Sequence, residues 1–170
     1  MRPSTCTRTH TTDIKPANVG FSQQDGQVRL LDFGLARQVH PNPARRKKLA
    51  GNCGTPRYMA PEIMLEQHYS FPADVHSYAL LLWEICTLTR PYNNASNVEE
   101  LQTWTIRDQQ RPPLAPVASS DVRAVLKQSW SPIADQRPCM KRIVKQLEYE
   151  LETLDRSSSS NDYFSCHPRK

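Results

Sequence analysis

Four side chains near the start of the chain have the types and spacing to act together on an anion. Asp13, Lys15 and Asn18 lie within six residues of one another, and Asp32 follows fourteen residues after Asn18. A carboxylate can accept a proton from a hydroxyl group, and carboxylate and amide oxygens are the ligands that hard divalent cations prefer. A lysine amine beside them can stabilise negative charge. These residue types therefore suit transfer chemistry on an anion that a metal ion holds.

Three short motifs containing these residues follow one another in a fixed order. They are Asp13-Ile14-Lys15-Pro16-Ala17-Asn18, Asp32-Phe33-Gly34 and Gly54-Thr55-Pro56-Arg57-Tyr58-Met59-Ala60-Pro61-Glu62. Their order and separations resemble the catalytic loop, the magnesium motif and the substrate-side anchor of a protein kinase. One tripeptide recurs by chance, but three motifs in order form a strong signal.

The resemblance implies a role for each of these side chains. Asp13 would accept the proton of the substrate hydroxyl, and Lys15 would steady the transferring phosphoryl group of ATP. Asn18 and Asp32 would bind Mg²⁺ and, through it, the nucleotide. Thr55 would contact Asp13 and Lys15 from the substrate side.

Residues further along the chain extend the resemblance over residues 13–154. Asp74 opens the segment that resembles the central buried helix of the family, where it would bind backbone amides of the catalytic loop. Arg137 lies in Asp135-Gln136-Arg137-Pro138, where the family pairs it with the glutamate that corresponds to Glu62. A pair so distant in sequence would tie two parts of the domain together.

Two features indicate which kinases the chain resembles. Lys15, two residues after Asp13, is the pattern of serine/threonine kinases, and Thr55 agrees with it. The Trp83-Glu84 helix and the Arg111-Pro112-Pro113-Leu114 segment resemble the tyrosine-kinase-like group of serine/threonine kinases. The expected substrate is a protein with Ser or Thr hydroxyls, and the expected cofactors are ATP and Mg²⁺.

The sequence departs from the family pattern just before Asp13. Thr11-Thr12 stands where the family has His-Arg, and His10 is one residue out of register, so its presence there is taken as incidental. The chain also contains no glycine-rich nucleotide loop and no strand lysine upstream of the catalytic loop. The expected fold is therefore a mainly α, protein-kinase-like C-terminal lobe with a small β element, and the β-rich N-terminal lobe is missing.

Hydrophobic periodicity and turn residues predict the elements and their limits. A disordered lead-in over residues 1–12 and a disordered, Ser-rich tail over residues 155–170 flank the partial kinase domain at 13–154. Within the domain the predicted elements are a strand at 28–31, preceded by the turn Asp25-Gly26, and helices at 73–88, 97–110, 120–130 and 135–154.

Composition and charge limit the partners and the cellular compartment that the protein can have. The net charge is +5. The run Arg45-Arg46-Lys47-Lys48 is either a solvated loop or a site for an acidic partner. Nucleic acid is an unlikely partner because no aromatic residues interleave this run. Mean hydropathy is -0.66 and no apolar run reaches about 18 residues, which predicts no membrane span. Five scattered cysteines and a polar start without a signal sequence predict a cytoplasmic or nuclear protein.

Three interpretations of the function remain open. The first is part of an ordinary serine/threonine kinase, inactive without its other lobe. The second is a catalytically silent interaction module, against which the intact Asp13, Lys15, Asn18 and Asp32 argue. The third is a binding protein that uses the basic run, and strong salt dependence of binding would mark it.

Overall fold

The computed structural model describes residues 8–11, 13–39, 49, 51 and 53–161. Its strands are short and form two antiparallel pairs. Strand β1 (Arg8–His10) pairs with β4 (Arg37–Val39), and β2 (Val19–Phe21) pairs with β3 (Val28–Leu30). The predicted lead-in over residues 1–12 is therefore wrong for residues 8–10, while residues 1–7 and Thr12 lie outside the described residues.

The β2–β3 pair is a hairpin, and the residues Asp25-Gly26 predicted its turn. Gly26 has a φ of +68°, a left-handed conformation that glycine adopts without strain, and its N–H donates to Ser22 O at 2.9 Å. The Asp25 carboxylate accepts the Gln27 N–H at 3.1 Å. The turn and β3 agree with the predicted strand at 28–31, but its partner β2 was not predicted. Three residues of Val-Gly-Phe are too short for a periodic signal.

The rest of the described chain is mainly helical. The helices are α1 (Pro61–Met64), α2 (Phe71–Thr87), α3 (Val98–Gln102), α4 (Ser120–Ser129) and α5 (Met140–Asn161), and single helical turns occur at Pro16–Asn18, Pro56–Tyr58, Thr103–Arg107 and Ala134–Gln136. The predicted helix at 97–110 is thus α3 followed by a π-type turn, and the predicted helix at 135–154 begins later, after Pro138. A proline restricts the residue before it, which accounts for the later start.

Helix α2 is the centre of the packing. Ala79, Leu80 and Trp83 join one apolar cluster with α4, Ala73 joins a second with α1 and α3, and Val75 joins a third with α4 and α5. The sequence predicted this burial because apolar residues surround the segment instead of forming one stripe. The helix ends where Leu88 adopts a left-handed conformation with a φ of 51°.

Helix α5 continues past the predicted end of the domain. The backbone stays helical to Asn161, so the predicted disordered tail is wrong for residues 155–161, and residues 162–170 lie outside the described residues. Ile143 is completely buried, whereas Leu151 and Leu154 are exposed. The serines of this segment carry no strong helix-breaking tendency, and a helix already formed extends at little cost.

Two predictions concern a membrane and an acidic partner. Among the described residues, no helix has the length and hydrophobicity that crossing a bilayer requires. The basic run from Arg45 to Lys48 lies outside the described residues.

Candidate active site

Asp13 and Thr55 come together at the centre of the candidate site. The Asp13 Oδ1 atom accepts hydrogen bonds from the Thr55 backbone N–H at 2.9 Å and from the Thr55 hydroxyl at 2.8 Å. These residues are separated by 42 positions in the sequence. Thr55 lies directly before the helical turn Pro56–Tyr58, whose Pro56 fixes the backbone, so the turn holds the threonine towards the aspartate.

Lys15 completes a triangle with these two side chains. Its ammonium group lies 2.7 Å from Asp13 Oδ2 and donates to the Thr55 hydroxyl oxygen, also at 2.7 Å. Burial by itself raises the pKa of Asp13, but the hydrogen bonds from Lys15 and Thr55 outweigh it and hold that pKa below its ordinary value. Asp13 is therefore a carboxylate at neutral pH.

Asn18 is held by the same aspartate. Its side-chain Nδ2 donates to Asp13 O at 2.9 Å and to Asp13 Oδ2 at 3.0 Å, and the residue is buried at the end of the turn Pro16–Asn18. Both hydrogens of the amide are thus used, which fixes its orientation. The carbonyl oxygen Oδ1 is the atom left to bind another group.

The β2–β3 hairpin places Asp32 beside Asn18. Val19 pairs with Leu30, and the Leu31 N–H donates to Asn18 O at 2.9 Å, so Asn18 and Asp32 lie at the same end of the hairpin. Asp32 is exposed, and its Oδ1 accepts the Gly34 N–H at 2.7 Å. A Cβ atom at Gly34 would lie 3.1 Å from that oxygen, a tight contact that the glycine avoids.

The donor atoms at this end of the hairpin suit Mg²⁺. They are carboxylate and amide oxygens, which a small hard cation prefers over nitrogen or sulfur. No group of three or more His, Cys, Asp or Glu side chains that could hold a metal occurs in the part of the chain that the structure describes. In proteins Mg²⁺ is usually held by one or two carboxylates, and waters and substrate phosphate oxygens complete its shell.

Asp74 ties the segment before Asp13 to helix α2. Its carboxylate accepts the Thr11 backbone N–H at 3.1 Å and the Thr11 hydroxyl at 3.3 Å, and its Oδ1 lies 3.3 Å from His10 Nδ1. The residue sits in the first turn of α2, where the helix dipole also favours negative charge.

Glu62 and Arg137 form the ion pair that the sequence suggested. Arg137 Nη1 donates to Glu62 Oε1 at 2.7 Å and Nη2 donates to Oε2 at 2.8 Å. The guanidinium also donates to the backbone oxygens of Ser131 and Pro72. The pair therefore joins α1, the start of α2 and the segment before α5.

Comparison with known proteins decides the family. The family model described as "Protein kinase domain" matches residues 8–147, which is most of the chain. The chain belongs to the protein kinase family. It is 33% identical over 144 residues to the dual specificity protein kinase shkB of Dictyostelium discoideum, covering 84% of this chain and 22% of that protein.

Other relatives of this kinase chain agree. It is 28% identical over 139 residues to the dual specificity protein kinase shkC of the same organism, covering 82% of this chain and 27% of the relative. It is 29% identical over 133 residues to human mitogen-activated protein kinase kinase kinase 7, covering 78% of this chain and 21% of the relative. The chain spans between a fifth and about a quarter of the length of these relatives.

Sequence reasoning missed the contacts that His10 makes beside the candidate site. His10 is completely buried, its Nε2 lies 2.8 Å from Ser70 O, and its ring packs edge-on against Tyr69 at 5.3 Å. The interpretation of His10 as incidental is therefore wrong. The family match begins at residue 8, before His10. The only signal in the sequence was a histidine three residues before Asp13, and its burial depends on the distant residues 69–74.

Proposed function

We propose that this chain is the C-terminal lobe of a serine/threonine protein kinase that transfers the γ-phosphoryl group of ATP to protein hydroxyl groups. The observation that carries the proposal is the hydrogen-bonded triangle of Asp13, Lys15 and Thr55. It supports the proposal because a carboxylate, a cation and a substrate-side hydroxyl meet at one point. Such a triangle has no evident use in packing, since Lys15 is partly exposed.

Each side chain has a distinct role in the proposed reaction. Asp13, with its lowered pKa, stays charged, accepts the hydrogen bond of the incoming Ser or Thr hydroxyl and takes its proton as the new bond forms. Lys15 neutralises negative charge on the transferring group. Thr55 keeps both of these groups in position. Asn18 and Asp32 would hold Mg²⁺ together with ATP. When bound, ATP would supply the phosphoryl group and Mg²⁺ would neutralise the negative charge on it.

Exposed apolar side chains around the hairpin support the proposal that this lobe works with a second one. Phe21, Val28, Leu31 and Phe33 are each more than half exposed. Large apolar side chains left exposed in one part of a chain are often covered by another protein surface. The sequence of the 170 residues contains no glycine-rich nucleotide loop. We therefore expect the 170 residues by themselves to bind ATP weakly and to turn over very slowly.

A fusion protein tests the proposed function. The nucleotide-binding lobe of the shkB relative is joined before residue 8, and transfer of labelled phosphate from Mg²⁺-ATP to a Ser- or Thr-containing peptide is measured. We expect Asp13→Asn to abolish transfer but keep ATP binding, and Asp32→Asn to weaken Mg²⁺-dependent ATP binding. Asp135→Asn, at an exposed carboxylate outside the site, is the matched control and should behave like the wild type.

The acceptor residue is decided by the same assay. Phosphoamino-acid analysis should find label on Ser or Thr and not on Tyr, since Lys15 and Thr55 follow the serine/threonine pattern. A folded fusion that binds Mg²⁺-ATP but transfers no phosphate would contradict the proposal and favour an interaction module. The binding of an acidic partner by Arg45 to Lys48, and a place in the cytoplasm or nucleus, remain predictions from the sequence.

A further inference from the structure

A cavity of about 240 Å³ begins at the candidate catalytic site and extends away from it. Thr55 lines one end of this cavity, and the hydroxyl of Thr55 is the one that donates to Asp13. The remaining lining residues come from the turn after Thr55, from Arg90 and from the segment around α3, and they include Arg57 and Ser96. A substrate whose hydroxyl reaches Asp13 therefore brings its neighbouring residues to this cavity.

Two guanidinium groups, those of Arg57 and Arg90, line this cavity. Arg57 is held in place because its Nη1 donates to Pro91 O at 2.5 Å and to Tyr92 O. Burial lowers the pKa of Arg57, and so does repulsion from the nearby Arg90, but an arginine remains charged at neutral pH. Arg90 is exposed, and no acidic side chain among the described residues forms an ion pair with it.

Two acidic groups near the cavity, those of Glu84 and Glu100, already accept hydrogen bonds. The Glu84 carboxylate accepts the Tyr58 hydroxyl at 2.5 Å, and it attracts Arg57. The Glu100 carboxylate accepts the Ser96 N–H at 2.7 Å at the rim. Glu84 offsets one of the two guanidinium charges and Glu100 is tied to the backbone, so the Arg90 guanidinium keeps its donors for another group. Five N–H donors in a planar fork match a carboxylate or a phosphate.

We propose that this cavity binds an anionic side chain of the protein substrate, a carboxylate or a phosphate, close in sequence to the Ser or Thr that is phosphorylated. Arg90 is the residue that contacts the anion, and Arg57 holds the wall of the cavity and adds positive charge. This inference rests on the proposed function and adds the class of substrate to it. An extended peptide covers about 3.3 Å per residue, so the three positions on each side of the acceptor are the ones to test first.

Peptide binding to the 170-residue chain tests the inference without any need for turnover. Fluorescently labelled peptides carry one central Ser and, at each of the three positions before and after it, either Glu, phosphoserine or Gln. Anisotropy titrations at low and high salt give the dissociation constants. We expect Glu or phosphoserine to bind about tenfold more tightly than Gln at one position, with the preference shrinking at high salt. The ratio of Glu to phosphoserine binding tells whether carboxylate or phosphate is the better ligand.

Two arginine variants separate this cavity from general attraction to a basic protein. Arg90→Gln removes the exposed guanidinium, and the Glu and Gln peptides should then bind about equally well. Arg156→Gln removes the same charge from an exposed site on α5, and it should leave the preference unchanged. Arg57 is not substituted, because its hydrogen bonds hold the turn at Pro91 and Tyr92.

Several outcomes would overturn the inference. They are equal binding of the Glu and Gln peptides at all positions, a preference that survives Arg90→Gln, and no binding of any peptide. The fusion assay separates these from failure of the proposed function. Phosphate transfer without an anionic preference would overturn only the inference, and an anionic preference without phosphate transfer would overturn only the proposed function.

Discussion

The Arg137 guanidinium and the Glu62 carboxylate form a buried, two-pronged ion pair across 75 positions of sequence. The Arg137 side chain is completely buried and that of Glu62 is 10% exposed. Because Glu62 lies seven residues after Thr55, the pair fixes the segment that presents Thr55 to Asp13. A packing contact near α5 thereby bears on the geometry of the candidate catalytic site.

Removing the arginine should destabilise the protein strongly. Arg137→Leu leaves the Glu62 charge buried without its partner, and we expect a loss of about 3–5 kcal/mol in the free energy of unfolding. Urea unfolding followed by circular dichroism measures it. The exposed pair of Arg156 and Glu152 offers a matched control, and Arg156→Gln should change stability by less than about 0.5 kcal/mol. A loss below 1 kcal/mol for Arg137→Leu would show that the ion pair contributes little.

Thr55 should control the acidity of Asp13. The Thr55 hydrogen bonds help to hold the pKa of Asp13 low, so Thr55→Val should raise that pKa, whereas Thr55→Ser should leave it nearly unchanged. Carbon-detected NMR titration of the Asp13 carboxyl group measures the shift. In the fusion kinase, Thr55→Val should also lower kcat by about ten- to a hundredfold, because Asp13 and Lys15 lose their common contact. Equal pKa values in the two variants would refute this role.

The sequence predicted the positions of the longer helices and one long-range contact between side chains. The buried helix around residues 73–88 and its apolar surroundings are where the periodicity indicated, and the Glu62 to Arg137 contact is present. The helix was predictable because hydrophobic periodicity is a local pattern. The contact was predictable because the motif that contains Arg137 is specific. The family to which the chain belongs was predicted for the same reason.

Features that depend on distant contacts escaped prediction. Strand β1 has three residues, and it pairs with β4 about 29 positions later, so no local signal marks it. His10 is buried by Tyr69 and by Ser70, which only the tertiary fold brings near. The end of α5 was placed too early because its serines suggested disorder, although the backbone continues the helix to Asn161.

The cap of α3 should contribute measurably to stability. Asn97 Oδ1 accepts the Glu100 N–H at 2.8 Å, and the Glu100 carboxylate accepts the Ser96 N–H in return. Asn97→Ala removes this cap and should cost about 1 kcal/mol in the free energy of unfolding, while Asn97→Asp should cost much less. Asn94→Ala, in the exposed turn just before, is the control and should be nearly neutral. Similar losses in Asn97→Ala and Asn97→Asp would mean that the cap is not the cause.

The buried His76 should make the protein sensitive to mild acid. It is completely buried in α2, and burial, followed by the charges of Arg137 and Arg111, holds its pKa well below 6.5. Below about pH 6.5 the unfolded chain therefore takes up a proton at this histidine and the folded chain does not. Its contribution is present above about pH 6.5 and is lost as the pH falls below it, by roughly 1 kcal/mol between pH 7.5 and 5.5.

Urea unfolding at several pH values measures this contribution as the difference between the wild type and His76→Gln. The variant lacks the titrating group, so the difference in unfolding free energy should shrink as the pH falls from 7.5 to 5.5. His68→Gln removes an exposed histidine and should leave the pH dependence of the wild type unchanged. A difference between the wild type and His76→Gln that stays constant over this range would mean that His76 becomes protonated in the folded protein, where two arginines and burial oppose it.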